Sequence, residues 1–193
     1  MAGDITSATS AKCSADASIL LVIDVQENLG AAMPGKVLNR VVNNSALLAR
    51  SAGLLDVPVF ATEQYPRGLG PTINEISEAL PASSSFFEKT VFSCANAEGF
   101  GAALQNSARQ QVILVGMEAH VCVLQTAFDL LSDNHEVYVV EDAICSRRLE
   151  NYQNALERMR QCGVHVVSAE SVIFEWLADA KHQHFKAVQK MLR

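Results

Sequence analysis

A cysteine stands where an apolar strand gives way to a helix. Residues 111–117, QVILVGM, form an apolar run of strand length, and 119–133, AHVCVLQTAFDLLSD, carry helical spacing. Cys122 therefore falls in the first turn of the helix. Unpaired N–H groups and the positive end of the helix dipole lower a thiol pKa there and favour the nucleophilic thiolate. The same N–H groups can hold the oxyanion of a tetrahedral intermediate. A thiol nucleophile needs a base, and Asp24 ends the apolar run SILLVIDV. Lys89, in SSFFEKTVF, has the charge to keep that carboxylate ionised. Asp24, Lys89 and Cys122 are the catalytic candidates, and the chemistry is attack on a carbonyl carbon. Each also has a plain structural reading. Asp24 can cap VQENL, Lys89 can be a solvated surface charge, and Cys122 can be a buried small hydrophobe. Cys145 is the rival thiol, without a helix start of its own. His120, two residues from Cys122, does not share its helix face. His182 and His184 lack the i, i+4 spacing of a helical metal pair.

These residues matter only if the fold gathers them. Apolar runs at 18–25, 57–63, 84–92, 111–117, 136–142 and 164–169 read as strands. Helical spacing occurs at 36–55, 96–108, 119–133, 149–163, around 174–180 and at 182–192, while YPRGLGPT (65–72) reads as a loop. Strands that are apolar throughout and alternate with helices specify a parallel sheet covered on both faces. The expected architecture is α/β, a three-layer α/β/α Rossmann-like fold with six parallel strands in the probable order 3-2-1-4-5-6. Ligands bind such folds beyond the carboxyl ends of the strands, where strand order reverses. That places Asp24 and Cys122 on facing sides of one crevice.

The chain of 193 residues is long enough for a full core, and 18–193 is expected to be one domain behind a flexible tail, residues 1–17. A net charge of −6 and the lack of a basic stripe argue against a nucleic-acid partner. No apolar run reaches membrane-span length, so no membrane partner is expected. Five cysteines without C-x-x-C spacing suggest a reduced, cytoplasmic protein; a Ser-rich N-terminus keeps a mitochondrial address as the alternative. Phe185, Val188 and Leu192 leave an apolar face on the last helix. A homo-oligomer, dimer or tetramer, with that helix in or near the interface would cover it.

The chain resembles the isochorismatase-like cysteine hydrolases over roughly residues 18–178. LLVIDVQENL, FATEQYPRGLG, FFEKTVFS, VILVGMEAHVCVLQTAFDLL and VYVVEDAICSR carry the resemblance in that order. It is nearest to the isochorismatase-domain-containing branch, whose trypanosomatid members have carried a mitochondrial ribonuclease label. The resemblance implies the triad Asp24, Lys89 and Cys122. It also implies a cis peptide at Met117–Glu118, which would aim the backbone N–H groups of Glu118 and Cys122 at one oxyanion. Gln26, Glu63, Tyr65 and His120 would line the substrate pocket. Nicotinamidases of this superfamily bind zinc through an Asp-x-His element; here the stretch is EQY, with Tyr65 in place of the histidine, so neither metal nor cofactor is expected. True isochorismatases cleave a vinyl ether and lack the thiol. Cys122 points instead to a C–N, amide-like bond of a small molecule, cleaved through a thioester. Two other readings stand beside it: a non-catalytic or moonlighting oligomer, and ribonuclease-type processing.

Overall fold

The computed structural model describes residues 12–192. Strand β1 (Ser18–Ile23) is followed by a short helix α1 (Glu27–Ala31) and a long helix α2 (Gly35–Leu54). After β2 (Val59–Gln64) come the single turns α3 (Pro66–Leu69) and α4 (Asn74–Ser77). β3 (Ser85–Lys89) leads through a 3-10 turn (Cys94–Asn96) into α5 (Phe100–Ser107). β4 (Gln111–Met117) leads through a π-helical turn (Ala119–Val123) into α6 (Leu124–Ser132). β5 (Glu136–Cys145) and α7 (Leu149–Gln161) precede β6 (His165–Val167), α8 (Ala169–Leu177) and α9 (Phe185–Met191).

The six strands are parallel and ordered 3-2-1-4-5-6, as the alternation of apolar runs and helices predicts. Successive residues of a strand face opposite sides. Leu20 and Val22 of β1 accordingly enter the core under α2 and α8, while Ile19, Leu21 and Ile23 enter the one under α5, α6 and α7. Both faces are buried, so β1 and β4 carry no exposed residue. β1 and β4 are neighbours at the point where strand order reverses, with Ile23 opposite Gly116. There the strands nearly touch. A Cβ on Gly116, whose φ is 113°, would lie 2.0 Å from the Ile23 carbonyl oxygen.

Three expectations change. β5 does not stop at Asp142 but runs to Cys145, through a register irregularity between Leu114 and Gly116 on β4. Asp142 is polar yet belongs to the fold: its carboxylate accepts the Ala169 N–H at 2.8 Å and its carbonyl accepts Asn44 Nδ2 at 2.8 Å. Of the tail expected over residues 1–17, residues 1–11 lie outside the described residues, and 12–17 are docked rather than free. Cys13 is wholly buried and its N–H donates to Glu175 at 2.8 Å, while the Ser14 N–H donates to Gln111 at 2.8 Å. The last helix has no leftover apolar face. Val188 is fully buried in its own chain's core, and Phe185 and Leu192 pack against the same cluster. An interface role for that helix loses its motive.

Candidate active site

The chain emerges from β1 at Asp24, which takes a left-handed φ of 50° and is completely buried. A buried carboxylate must be paired and hydrogen-bonded to remain charged. Lys89 Nζ donates to its Oδ2 at 2.7 Å, and the Thr62 hydroxyl donates to its Oδ1 at 2.7 Å. Both side chains of the ion pair are fully shielded from solvent. Lys89, at the end of β3, also donates to Gln64 Oε1 at 2.7 Å and to the carbonyls of Phe92 and Val91 at 3.1 and 3.4 Å. Burial disfavours its ammonium. Asp24, aided by Cys94 and Cys122, outweighs that, and the net pKa shift is upward. Lys89 is thus a fixed cation beside Asp24, not a solvated surface charge.

Cys122 lies across the switch point in the π-helical turn, buried and near enough to Asp24 for the carboxylate to act on its thiol. Asp24, Lys89 and Cys122 come together at the carboxyl edge of the sheet. The thiol's electrostatics reverse the expectation drawn from its helix position. Burial is the largest influence and the Asp24 charge the next; both raise its pKa, against a lowering by Lys89. The resting group is a thiol beside a ready carboxylate rather than a standing thiolate. Cys145, the rival thiol, is buried opposite Met117 and pushed up to about 12 by burial and Glu118, with no base among its hydrogen-bond partners.

The Met117–Glu118 peptide bond is cis. The Glu118 side chain is committed to Arg147, whose N–H donates to Oε2 at 2.9 Å and whose Nε donates to Oε1 at 3.0 Å. The four residues assigned to the pocket lining do not share one wall. Gln26 is fully buried and acts as a strut. Its amide nitrogen donates to the carbonyls of Gln64 and Gly70 at 3.1 and 2.7 Å, and its oxygen accepts the Gln64 N–H at 2.7 Å. It therefore has no place as a pocket wall. Glu63 Oε1 accepts both the N–H and the hydroxyl of Thr72 at 2.7 Å. Tyr65 is exposed, with a left-handed φ of 38°. It borders a cleft of about 420 Å³ that also includes Arg67, Lys89 and Asn96. His120 faces away toward α7, its ring nitrogens 2.9 Å from Ser146 Oγ and 3.2 Å from Asn151 Nδ2. A larger cavity of about 570 Å³, lined by Arg50, Glu75, Glu170 and Met191, lies between α2, α8 and α9, remote from the triad.

Thr62, Gln64, Cys94 and Arg147 complete the site and were missed in the sequence. Thr62 had a signal: it is the first polar residue after the apolar stretch VFA, in the strand next to the one that ends in Asp24. Cys94, wholly buried with its Sγ 3.7 Å from Thr62 Oγ1, has its thiol pushed up to about 11 by burial and Asp24. Nothing in its spacing marks it.

The isochorismatase domain model matches residues 18–171. Isochorismatase domain-containing protein 2 of Danio rerio is 38% identical over 182 residues, covering 94% of this chain and 89% of that protein. The structure of the MAR1 ribonuclease from Caenorhabditis elegans superposes with a TM-score of 0.88 at 36% identity, covering 94% of this chain and 92% of that one. The ycaC gene product of Escherichia coli, described as an octameric hydrolase of unknown specificity, shares the fold at a TM-score of 0.83 and 20% identity, over 94% of each chain. The fold is that of the isochorismatase-like hydrolases, and with a domain match over most of its length the chain belongs to the isochorismatase family.

Proposed function

We propose that the chain is a cysteine hydrolase that cleaves a C–N, amide-like bond of a small molecule. The observation that carries this reading is the shielded Asp24–Lys89 ion pair beside the buried Cys122 thiol, on which the Asp24 charge acts. Asp24 takes the thiol proton as Cys122 Sγ bonds to the carbonyl carbon, and the carbonyl electron pair moves to oxygen. The backbone N–H groups of Glu118 and Cys122 hold that oxyanion. Collapse breaks the C–N bond, and the amine leaves with the proton from Asp24. A thioester remains. Asp24 then deprotonates a water, which attacks the thioester carbon; the acid departs and Cys122 regains its proton. Lys89 keeps Asp24 charged between the steps, so no cofactor or metal enters.

The same reading sets the chain in a reducing compartment, cytoplasmic first and mitochondrial as the alternative, because all five cysteines are free. Self-association is part of the proposal, supported by the octameric description of the E. coli protein. The test is release of ammonia or amine from a panel of small primary and N-substituted amides. Cys122→Ala and Asp24→Asn should each lower turnover by at least about a thousandfold. Undiminished release from Cys122→Ala would overturn the mechanism. A ribonuclease reading has behind it the descriptions of the C. elegans, Leishmania major and Leishmania donovani proteins. Against it stand the net charge of −6 and a site lysine whose ammonium is fully engaged inside the protein.

A further inference from the structure

Six large apolar side chains are exposed among the described residues, and three of them, Tyr65, Val91 and Phe92, adjoin Lys89. The Tyr65 N–H donates to the Lys89 carbonyl at 2.8 Å, and the Val91 and Phe92 carbonyls accept from Lys89 Nζ. From this collar a groove of about 400 Å³ runs between residues 90–93 and helix α6. Its walls include Val91, Phe92, Ser93, Gln125 and Phe128. Phe92 is 52% exposed. The groove begins one residue past Lys89 and is bounded by α6, the helix that follows the turn holding Cys122. Gln125 stands three residues beyond Cys122 in the chain. Thr126, one residue further, binds the Cys94 N–H at 2.9 Å and so ties residues 90–94 to the helix.

Ser93 marks the inner end. It is only 4% exposed, and its hydroxyl is buried without a hydrogen-bond partner. Buried hydroxyls are rarely left unpaired, and apolar walls with a few polar groups are the usual form of a small-molecule subsite; here Val91, Phe92 and Phe128 are the apolar wall, and Thr90, Asn96, Gln125 and Asp129 are polar. The volume admits a ring with room for further substituents. Resting on the hydrolase reading above, we propose that this groove holds the nitrogen substituent of the scissile amide, an apolar group of about ring size. Ser93 Oγ accepts the amide N–H, and Phe92 and Phe128 flank the substituent. The substrate class is the N-substituted small amide, with the leaving amine in the groove and the acyl group on the thiol.

The test measures affinity in full-length Cys122→Ala protein, where turnover cannot interfere, with acetamide, N-benzylacetamide and N-benzyl-N-methylacetamide followed by amide chemical shifts. N-benzylacetamide should bind at least about tenfold more tightly than acetamide, with shifts centred on residues 90–93 and 125–128. Phe92→Ala should remove most of that gain. Ser93→Ala should abolish the preference over the N-methyl compound, which has no N–H to donate. Phe174→Ala, an exposed apolar residue elsewhere, should leave all three affinities as they were. Equal affinities for the three probes, or no effect of Phe92→Ala, would overturn the inference. So would a drop in sedimenting mass on Phe92→Ala, which would show a second copy covering the patch. The hydrolase reading fails separately, if wild-type protein acquires no acyl group on Cys122 while N-benzylacetamide still binds.

Discussion

At the scale of single residues, the cysteines respond together to their surroundings. Burial is the largest influence raising the thiols of Cys122, Cys94, Cys145 and Cys13 above the ordinary value of about 8.5. A raised folded-state pKa means that the folded chain holds the thiol proton more tightly than the unfolded chain. Its stabilising share is complete below the unfolded pKa and is lost as pH rises above it. Unfolding by urea is therefore expected to become easier between pH 8 and 10, by more than the one exposed thiol, Cys162, would allow. Cys94→Ala and Cys145→Ala should each flatten that dependence; an unchanged profile would contradict the burial argument. The ion pair gives a second expectation. Lys89→Met removes the cation from a buried carboxylate and leaves Asp24 with Thr62 and Cys122 for company. Breaking one partner out of a buried pair costs about 3–5 kcal/mol. Denaturant titration should show a loss of that order, and a loss near zero would contradict a buried ion pair at this position.

At the scale of elements, the junction of β1 with β4 holds the site together. Gly116 combines a positive φ with an approach to the Ile23 carbonyl that no side chain fits. Gly116→Ala should destabilise the fold by more than about 3 kcal/mol, since neither backbone can give way inside a sheet buried on both faces. A melting temperature within a few degrees of the wild type, about 3 °C, would refute this. Much of this layer is legible in the sequence. Strands read as apolar runs gave the parallel sheet, and the Rossmann-like order assumed for it is the order found; the end of the first strand gave Asp24, and the start of the helix after the fourth gave Cys122. What stayed hidden depends on contacts between distant segments. Gln26 looked like a pocket residue because it follows Asp24 at the end of the first strand, yet it hydrogen-bonds residues 38 and 44 positions away. The raised thiol pKa was hidden too. A helix start suggests a lowered pKa; only the packing shows that burial and Asp24 outweigh it. Cys94 is invisible to any pattern, since only the turn after β3 brings it under Thr62.

At the scale of the whole molecule, both ends of the described chain are tied into the fold. Residues 12–17 hydrogen-bond Glu175 of α8 and Gln111 at the start of β4, while α9 sends Val188 into the core beneath α2. Deleting residues 182–193 should thus act on stability rather than on assembly. Loss of a fully buried valine and its partly buried neighbours is worth about 3 kcal/mol or more. Sedimentation of the truncated chain should give the same subunit count as the full chain, with a lower denaturation midpoint. A shift to monomer at unchanged stability would return α9 to an interface. Assembly, if it covers apolar surface, has other candidates: Phe86 on edge strand β3 is 55% exposed, on a strand with one side unpaired.

The central claim is that Cys122 forms a covalent acyl intermediate with Asp24 as its base. Its most direct test is intact-mass analysis of the full chain, quenched in acid during incubation with small amides and followed by peptide mapping. The expected result is a mass increase equal to the acyl group, on the peptide containing Cys122. It should be absent from Cys122→Ala and strongly reduced in Asp24→Asn. Amide turnover with no acyl adduct at any quench time, or an adduct on Cys94, Cys145 or Cys162 that persists in Cys122→Ala, would contradict it.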